Sequence, residues 1–311
     1  MAAEQNVAMK DRLAELDFLD KALATTPLAT EVFFAGEPCG DWRMNTQGLG
    51  DAAFHLVLKG SPWLHLPGHG ASSRQIRAGD LLFFPRNASH ALTESASMPD
   101  SFATTVDGVR AVGTSSDRTA LICGKLRLEP YTQRFLLAPL PDVVVMPADA
   151  AGVPPIVPAI VSSMWQEVRG AVRPLSLTLN RLADVLVAQV IRYAVMQGLA
   201  SSGIFAALAD THLRRAMLEL IRAPEQDWTV DALARRALMS RSAFAARFQA
   251  VVQRTPLEFV REWRMQQAMT LLRDGRSVSD VAAASGYQSE ASFAKAFKRV
   301  VGIGPGAVRM R

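Results

Sequence analysis

Residues 229–256, TVDALARRALMSRSAFAARFQAVVQRTP, and residues 277–305, SVSDVAAASGYQSEASFAKAFKRVVGIGP, contain one pattern twice. From Ser240 onward the copies align at an offset of 49 residues, which indicates an internal duplication. The identical pairs are Ser240 and Ser289, Phe244 and Phe293, Ala245 and Ala294, Phe248 and Phe297, Val251 and Val300, Val252 and Val301, and Pro256 and Pro305.

Each copy predicts a helix, a tight turn and a second helix. Ser240 is a good N-cap, and the helix after it places Phe244, Phe248 and Val251 on one apolar face. In the second copy Gly286 supplies the turn, and Ser289 caps the next helix. The apolar positions of the first helices are Val230, Leu233, Ala234 and Ala237 in one copy and Val278, Val281 and Ala282 in the other; Phe293, Phe297 and Val300 repeat the second helix.

Residues 256–275 between the copies predict one connecting helix, with Val260, Trp263, Met269 and Leu272 on its buried side. Two helix-turn-helix units fixed in this way can place two recognition helices about 34 Å apart, which is one turn of DNA. The pattern therefore predicts binding to the major groove of double-stranded DNA at two successive turns.

The distribution of charge agrees with this interpretation. Residues 227–311 hold 14 Lys and Arg against 7 Asp and Glu, whereas the other 226 residues hold 20 against 22. Positive charge is therefore concentrated where phosphate contacts are needed. The alternative is a helical bundle whose basic face is merely solvated.

The motifs WTVDALARRALMSRSAFAARF and GYQSEASFAKAFKRVVGIGPGAVR resemble the DNA-binding domain of AraC/XylS transcription regulators. The resemblance implies a seven-helix domain with two helix-turn-helix units. It departs from the family at the glycine-rich loop of residues 302–306 and at Val308, where the family more often has an aromatic residue.

Composition limits the class of protein. The chain has 311 residues, of which 49% are hydrophobic and 20% charged, as in globular domains, and it has no apolar run of membrane-spanning length. Two cysteines, Cys39 and Cys123, indicate free thiols in a reducing compartment. We expect a cytoplasmic protein that does not enter a membrane.

The amino-terminal half predicts many short strands after a helix at residues 9–23. The run GDLLFFPRNASH, residues 79–90, fits G-x5-P-x-G-x2-H except that Asn87 replaces the second glycine. This run resembles the second cupin motif, and FHLVLKGSPWLHLPG, residues 54–68, resembles the strands before it. The resemblance implies a jelly-roll β-barrel with a ligand cavity. Asn87 tolerates the left-handed turn that the motif requires.

A catalytic metal is not expected in this barrel. His55 stands alone where metal-binding cupins have His-x-His and a carboxylate. His55, His90 and Cys123 together could still hold a structural metal, and the sequence leaves this open. A small-molecule effector is expected to contact side chains that strand alternation could direct into the cavity, namely Arg43, His55, Trp63, His65 and His90.

Residues 148–224 predict a linker followed by helices. Residues 175–196 form the most apolar helix, whose stripe of Leu179, Leu182, Leu186, Val190 and Tyr193 either packs within the chain or forms a homodimer contact. The expected fold class is α+β and multidomain. It has a cupin-like sensor at residues 1–147, a helical linker and dimerisation segment at residues 148–224, and an all-α double helix-turn-helix domain at residues 225–311.

Helical rotation also predicts the side chains that contact DNA. Lys295 can donate to guanine and Glu290 can accept from a cytosine amino group, whereas arginines near the helix ends suit phosphates. The expected DNA-binding residues are Arg241, Ser242, Ala245, Ala246, Arg247, Gln249 and Arg254 in the first unit, and Glu290, Ala291, Ala294, Lys295, Lys298 and Arg299 in the second.

The sequence therefore predicts a non-enzymatic, sequence-specific transcription regulator without a cofactor. The family resemblance implies an activator that contacts RNA polymerase and responds to a small molecule. Two alternatives remain: a cupin-type metal-dependent enzyme that carries a DNA-binding domain, and a DNA-binding protein that needs no ligand.

Overall fold

The computed structural model describes residues 28–46, 52–67, 72–110, 112–113, 118–128, 131, 133–169 and 176–309. These residues divide into two compact units. The sheet unit comprises 28–128 and 140–199, and the helical unit comprises 129–139 and 200–311. The unit boundary at 199–200 lies inside the predicted middle segment, and the three-part division stays a prediction. The predicted helix at residues 9–23 lies outside the described residues.

The sheet unit contains two antiparallel sheets. Their strands are β1 (Ala29–Pro38), β2 (Ala52–Lys59), β3 (Trp63–Leu66), β4 (Ser72–Gln75), β5 (Leu81–Phe84), β6 (Ala91–Thr93), β7 (Val109–Arg110), β8 (Ala120–Arg127) and β9 (Val144–Met146). The larger sheet has the strand order β7-β1-β8-β2-β5-β9, and the smaller has the order β4-β3-β6.

Strand β2 lies inside the larger sheet, and its first seven residues are all buried. Ala53 and Val57 pack into a core with Leu64 and Leu92 of the smaller sheet. Phe54 alternates to the other face, where it pairs with Gly124 of β8. A Cβ atom on that glycine would lie 2.4 Å from the Phe54 ring, so only glycine fits there. Both faces of this strand are therefore covered.

Two helices, α1 (Val157–Val168) and α2 (Ser176–Met196), complete the sheet unit. Helix α2 packs on β1, and polar contacts fix its position. The Asp184 carboxylate accepts hydrogen bonds from the Thr30 backbone N–H at 2.8 Å and from its hydroxyl at 2.7 Å, and the Asn180 side chain accepts from Val32 N–H. Most of the predicted apolar stripe is buried here, within the unit; Leu182 is half-buried.

The helical unit contains α3 (Gly203–Ala209), α4 (Arg214–Arg222), α5 (Val230–Arg236), α6 (Arg241–Val252), α7 (Pro256–Arg273), α8 (Val278–Ala284), α9 (Glu290–Val301) and α10 (Pro305–Arg309). Helix α4 begins at Arg214, after a turn that Asp210 holds. The Asp210 carboxylate accepts from the backbone N–H groups of His212 and Leu213, so a capped turn precedes the helix. No helix among the described residues is long and apolar enough to cross a bilayer.

A segment between the sheet strands also belongs to the helical unit, which the sequence did not indicate. It includes Tyr131 and a short π-helix, Gln133–Leu137. The Tyr131 hydroxyl donates to the Glu262 carbonyl of α7 at 2.6 Å. The Phe135 ring stacks near those of Phe259 and Trp263, with centroids 5.6 and 6.0 Å away. The segment therefore covers an aromatic face of α7.

Candidate nucleic-acid interface and candidate ligand site

Helices α5 and α6 form the first helix-turn-helix. The Thr229 hydroxyl accepts from Ala232 N–H at the start of α5, and the Ser240 hydroxyl accepts from Ala243 N–H at the start of α6. Leu238 lies in the turn with a φ of 55°, in the left-handed region. The predicted N-cap at Ser240 is therefore present.

Helices α8 and α9 form the second helix-turn-helix with the same local chemistry. The hydroxyls of Ser277 and Ser289 cap the two helices by accepting from Asp280 N–H and Ser292 N–H. The left-handed turn residue is Gly286, with a φ of 77°. The caps and the left-handed turn conformation are thus repeated, although the turn residue differs and the second turn is one residue longer.

Phenylalanine pairs hold both second helices against the core. Phe244 and Phe248 have ring centroids 5.5 Å apart, and so do their counterparts Phe293 and Phe297. The prediction that Val251 completes this face is wrong in detail, because it is half-buried and Val252 is buried. The buried stripe follows an i, i+4, i+8 row rather than i, i+4, i+7. The equivalent of Val251 in the second unit, Val300, is likewise half-buried.

The opposite faces of α6 and α9 present the predicted DNA-binding side chains. Ala245 and its equivalent Ala294 are half-buried, and the other predicted positions on these faces are exposed. The exposed set is Arg241, Ser242, Ala246 and Gln249 on α6, and Glu290, Ala291, Lys295, Lys298 and Arg299 on α9. The structure places each set on one helix, and their contact with DNA stays a prediction.

Three of the predicted arginines have acidic partners. Arg247 donates to both carboxylate oxygens of Asp210, at 3.0 and 3.1 Å through Nε. Arg254 lies 2.7 Å from Glu262, and Arg241 lies 3.2 Å from Asp231. A phosphate contact from Arg247 would have to compete with a bidentate ion pair.

Helix α7 is the predicted connector, and it is continuous over 18 residues. It begins with a capping box, in which Thr255 and Glu258 accept from each other's backbone N–H groups. Val260, Trp263, Met269 and Leu272 are all buried, as the spacing predicts. At 1.5 Å per residue the helix is about 27 Å long, and its buried face makes it a fixed spacer.

The barrel interior brings His55 and His90 together, and both imidazoles are fully buried. The Nε2 atoms lie 2.8 Å apart. His90 Nδ1 lies 2.7 Å from the Ala88 carbonyl, which can only accept, so Nδ1 carries the proton. His90 Nε2 therefore accepts from His55 Nε2–H, and His55 Nδ1 has no hydrogen-bond partner among the described residues.

Burial keeps both imidazoles neutral at neutral pH. It lowers the pKa of His90 to about 4, and it lowers the pKa of His55 well below the usual 6.5, with a further decrease from the neighbouring His90. Asn87 beside them has a φ of 51°, as the cupin-like turn requires. Its side chain accepts from the Thr46 hydroxyl and donates to the Thr46 carbonyl, both at 2.6 Å.

The other predicted effector contacts lie on a different face. Leu64 and Leu66 of β3 join the core, so the alternate residues Trp63 and His65 point away from it. His65 is fully buried there, within 2.7 Å of the Ser73 hydroxyl and 2.9 Å of the Thr93 hydroxyl. Arg43 precedes the core residue Met44, and its Nε has no hydrogen-bond partner among the described residues. The structure does not bring these three to the His55–His90 pair.

Cys123 pairs with His55 across strands β8 and β2 and lies in the same core. Burial raises the pKa of its thiol well above the usual value, so the thiolate is disfavoured. The described part of the chain contains no group of three or more His, Cys, Asp or Glu residues placed to hold a metal ion.

Comparisons with known proteins match both units. A cupin family profile matches residues 17–196, and a helix-turn-helix domain profile matches residues 233–311. An AraC-like transcription regulator of Streptomyces antibioticus is 33% identical over 263 residues, covering 82% of this chain and 86% of the relative. An HTH-type transcriptional regulator of Haemophilus influenzae is 28% identical over 303 residues, covering 94% and 98%.

One solved structure in the comparison contains DNA. The DNA-binding domain of AdpA in complex with a target DNA is 31% identical and covers 32% of this chain and 90% of its own, with a TM-score of 0.31. The fold and the relatives define a DNA-binding transcription regulator. The chain belongs to the AraC family, with an amino-terminal cupin domain and a carboxy-terminal double helix-turn-helix. The predicted family and the predicted fold class are therefore confirmed.

Proposed function

We propose that the second recognition helix, α9, supplies most of the base recognition. The observation that carries this proposal is its exposed polar face, on which Glu290 is the first and Lys295 the sixth of twelve residues. Residues in the amino-terminal part of a recognition helix reach base edges. Lys295 would donate to guanine and Glu290 would accept from a cytosine amino group. Helix α6 offers mainly small side chains, which suit close approach and contact with thymine methyl groups.

Selection of bound duplexes from random DNA by the full chain tests this proposal. We expect a two-part site whose halves are separated by about one helical turn. Affinity should fall steeply between low and high salt, since several phosphate contacts release counterions. A flat salt response, or the absence of a preferred sequence, would contradict DNA recognition by these helices.

We propose that a small molecule bound in the sheet unit controls regulation. The support is the buried His55–His90 pair, which leaves the lone pair of His55 Nδ1 without a partner among the described residues. Such an atom can accept a hydrogen bond from a polar ligand group. Arg43, Trp63 and His65 would not contact a ligand there, because they lie on a different face. Binding would bias the regulator between two arrangements.

His90→Leu tests the effector site in a reporter strain exposed to a metabolite panel. We expect the variant to fold and to bind DNA but to lose the response of the wild-type protein. A variant that melted at the wild-type temperature and still responded would exclude the pair as part of the site.

We also propose that the protein activates transcription through RNA polymerase, acts in the cytoplasm and forms a homodimer through α2. For the dimer, the support is apolar surface left on that helix, where Leu177 is 62% exposed and Val185 is 42% exposed. Val185→Asp, measured by sedimentation equilibrium beside the wild-type chain, should dissociate the dimer; a dimer that survives unchanged would place the contact elsewhere.

We propose, finally, that the chain has no enzymatic activity. The support is the single His55, with Val57 two residues later, and its direct bond to His90. Metal analysis of protein purified without added metal tests the alternative. Stoichiometric iron or manganese would favour a cupin-type enzyme and count against the regulator-only function.

A further inference from the structure

A basic groove lies in the helical unit between α4 and α5. It has a volume of about 640 Å³, and its lining residues come from α4, α5 and the loop between them. The lining residues are Arg215, Gln226, Asp227, Trp228, Ala232, Arg235 and Arg236. The lining therefore contains three guanidinium groups and one carboxylate.

Two of these guanidinium groups are available for a ligand. Arg236 lies 2.9 Å from Glu219 in an ion pair. Arg215 and Arg235 are exposed, and the guanidinium group of neither forms a hydrogen bond or ion pair with any residue that the structure describes. They differ in this respect from Arg241, Arg247 and Arg254 of the predicted interface, which are all paired with carboxylates.

The groove is built on fixed backbone. The Trp228 indole is 7% exposed, and its N–H donates to the Ala223 carbonyl at 2.9 Å. Arg264 of α7 holds the adjoining loop by donating to the carbonyls of Pro224 at 2.6 Å and Gln226 at 2.7 Å. The two free arginines are therefore presented from an ordered surface, which reduces the entropy lost when they bind a ligand.

Guanidinium groups favour phosphate because they donate parallel hydrogen bonds to its oxygens. Helix α5 is the first helix of a helix-turn-helix, and in such units the first helix crosses the DNA backbone while the second enters the groove. We propose that Arg215 and Arg235 bind backbone phosphates of the DNA beside the part of the site that α6 occupies. This inference rests on the proposed DNA recognition, and it adds a contact outside both recognition helices.

The double variant Arg215→Ala/Arg235→Ala in the full chain tests the inference. Its matched control is Arg222→Ala, because Arg222 is an exposed arginine of the same helix α4 that does not line the groove. Binding to the selected duplex is measured as a function of salt, and the protected length of each strand is measured by footprinting. Thermal unfolding verifies that each variant is folded.

We expect the double variant to bind about 10- to 30-fold more weakly near physiological salt, with a salt slope smaller by about 2, because two phosphate contacts are lost. Base preference should stay unchanged, and protection should shorten on one flank. If the alanine variant unfolds, the glutamine pair Arg215→Gln/Arg235→Gln gives the same comparison.

Affinity and slope equal to those of Arg222→Ala would overturn the inference, and so would a loss of affinity restricted to some sequences. Failure of this inference can be distinguished from failure of the proposed DNA recognition. If the proposed recognition were wrong, the wild-type chain itself would show no sequence preference. A shortened footprint with unchanged base preference is specific to a phosphate contact at the flank.

Discussion

Residues 238 and 286 each lie two residues after the end of the first helix of their helix-turn-helix, and both have a positive φ. Glycine adopts this conformation without steric cost, whereas another residue pays roughly 1 kcal/mol or more. Gly286 follows that rule, and the sequence therefore indicated its turn. Leu238 does not, and its side chain is 81% exposed, so packing does not offset the cost.

Leu238→Gly should raise the free energy of unfolding by about 0.5–1 kcal/mol, because relief of the left-handed strain exceeds the added freedom of the unfolded chain. Urea denaturation followed by the helical circular dichroism signal measures this change. Gly286→Ala is the control and should destabilise, since its φ is 77° and the new Cβ would lie 3.0 Å from the Glu225 carbonyl. An unchanged or lower stability of Leu238→Gly would show that the leucine makes a compensating contact.

The buried His55–His90 pair leads to a second prediction at the residue scale, which concerns the pH dependence of stability. Burial lowers the folded-state pKa of His90 to about 4, whereas an unfolded histidine titrates near 6.5. Between these values the unfolded state binds more protons, so stability falls as the pH decreases from 6.5 towards 4. The loss attributable to His90 is roughly 3 kcal/mol between pH 7 and pH 4.

Urea denaturation from pH 7 to pH 4 measures this loss, and His90→Leu should remove a large part of it. His212→Gln, which removes an exposed histidine of the helical unit, is the matched control. Equal slopes for the wild type and His90→Leu would mean that the imidazole at residue 90 is not held neutral by burial.

At the scale of elements, helices were predicted best because apolar side chains recur at helical spacing and serines cap the turns. The bounds of α5 to α9 follow those signals closely. Strands β4, β6 and β7 gave no comparable signal: they are two to four residues long, and β4 is polar and exposed throughout. Tyr131 and Phe135 gave none either, because their partners on α7 are over 100 residues away. These partners are Glu262 for Tyr131, and Phe259 and Trp263 for Phe135.

The two recognition helices differ in chemistry, and this difference supports a prediction at the same scale. Lys295→Ala should cost about 1–3 kcal/mol of binding and relax base preference at one position, because a contact to a base edge is lost. Arg299→Ala, four positions further along the same helix, should weaken binding to all sequences alike. Site selection with both variants measures the difference, and an unchanged preference for Lys295→Ala would assign base reading to other side chains.

At the scale of the whole molecule, the duplicated motif indicated where DNA-binding helices begin but not what supports them. Helices α3 and α4, before the duplication, pack on α6 and α5 and bury apolar side chains. The buried members are Ile204, Phe205, Leu208, Met217, Leu220 and Ile221. The sequence analysis placed these helices in the linker and dimerisation segment. Their short apolar runs do not indicate which other helices they pack against.

A fragment of residues 200–311 should therefore be more stable than one of residues 227–311. The shorter fragment lacks α3 and α4, together with the Asp210 carboxylate that fixes Arg247 on α6. Each large side chain left without its contacts costs about 1–3 kcal/mol, so the difference should amount to several kcal/mol in urea denaturation. Both fragments keep the faces of α6 and α9, and they should select the same DNA sequence if they fold. Equal stability of the two fragments would mean that the duplicated motif forms an independent domain and that α3 and α4 do not add to its stability.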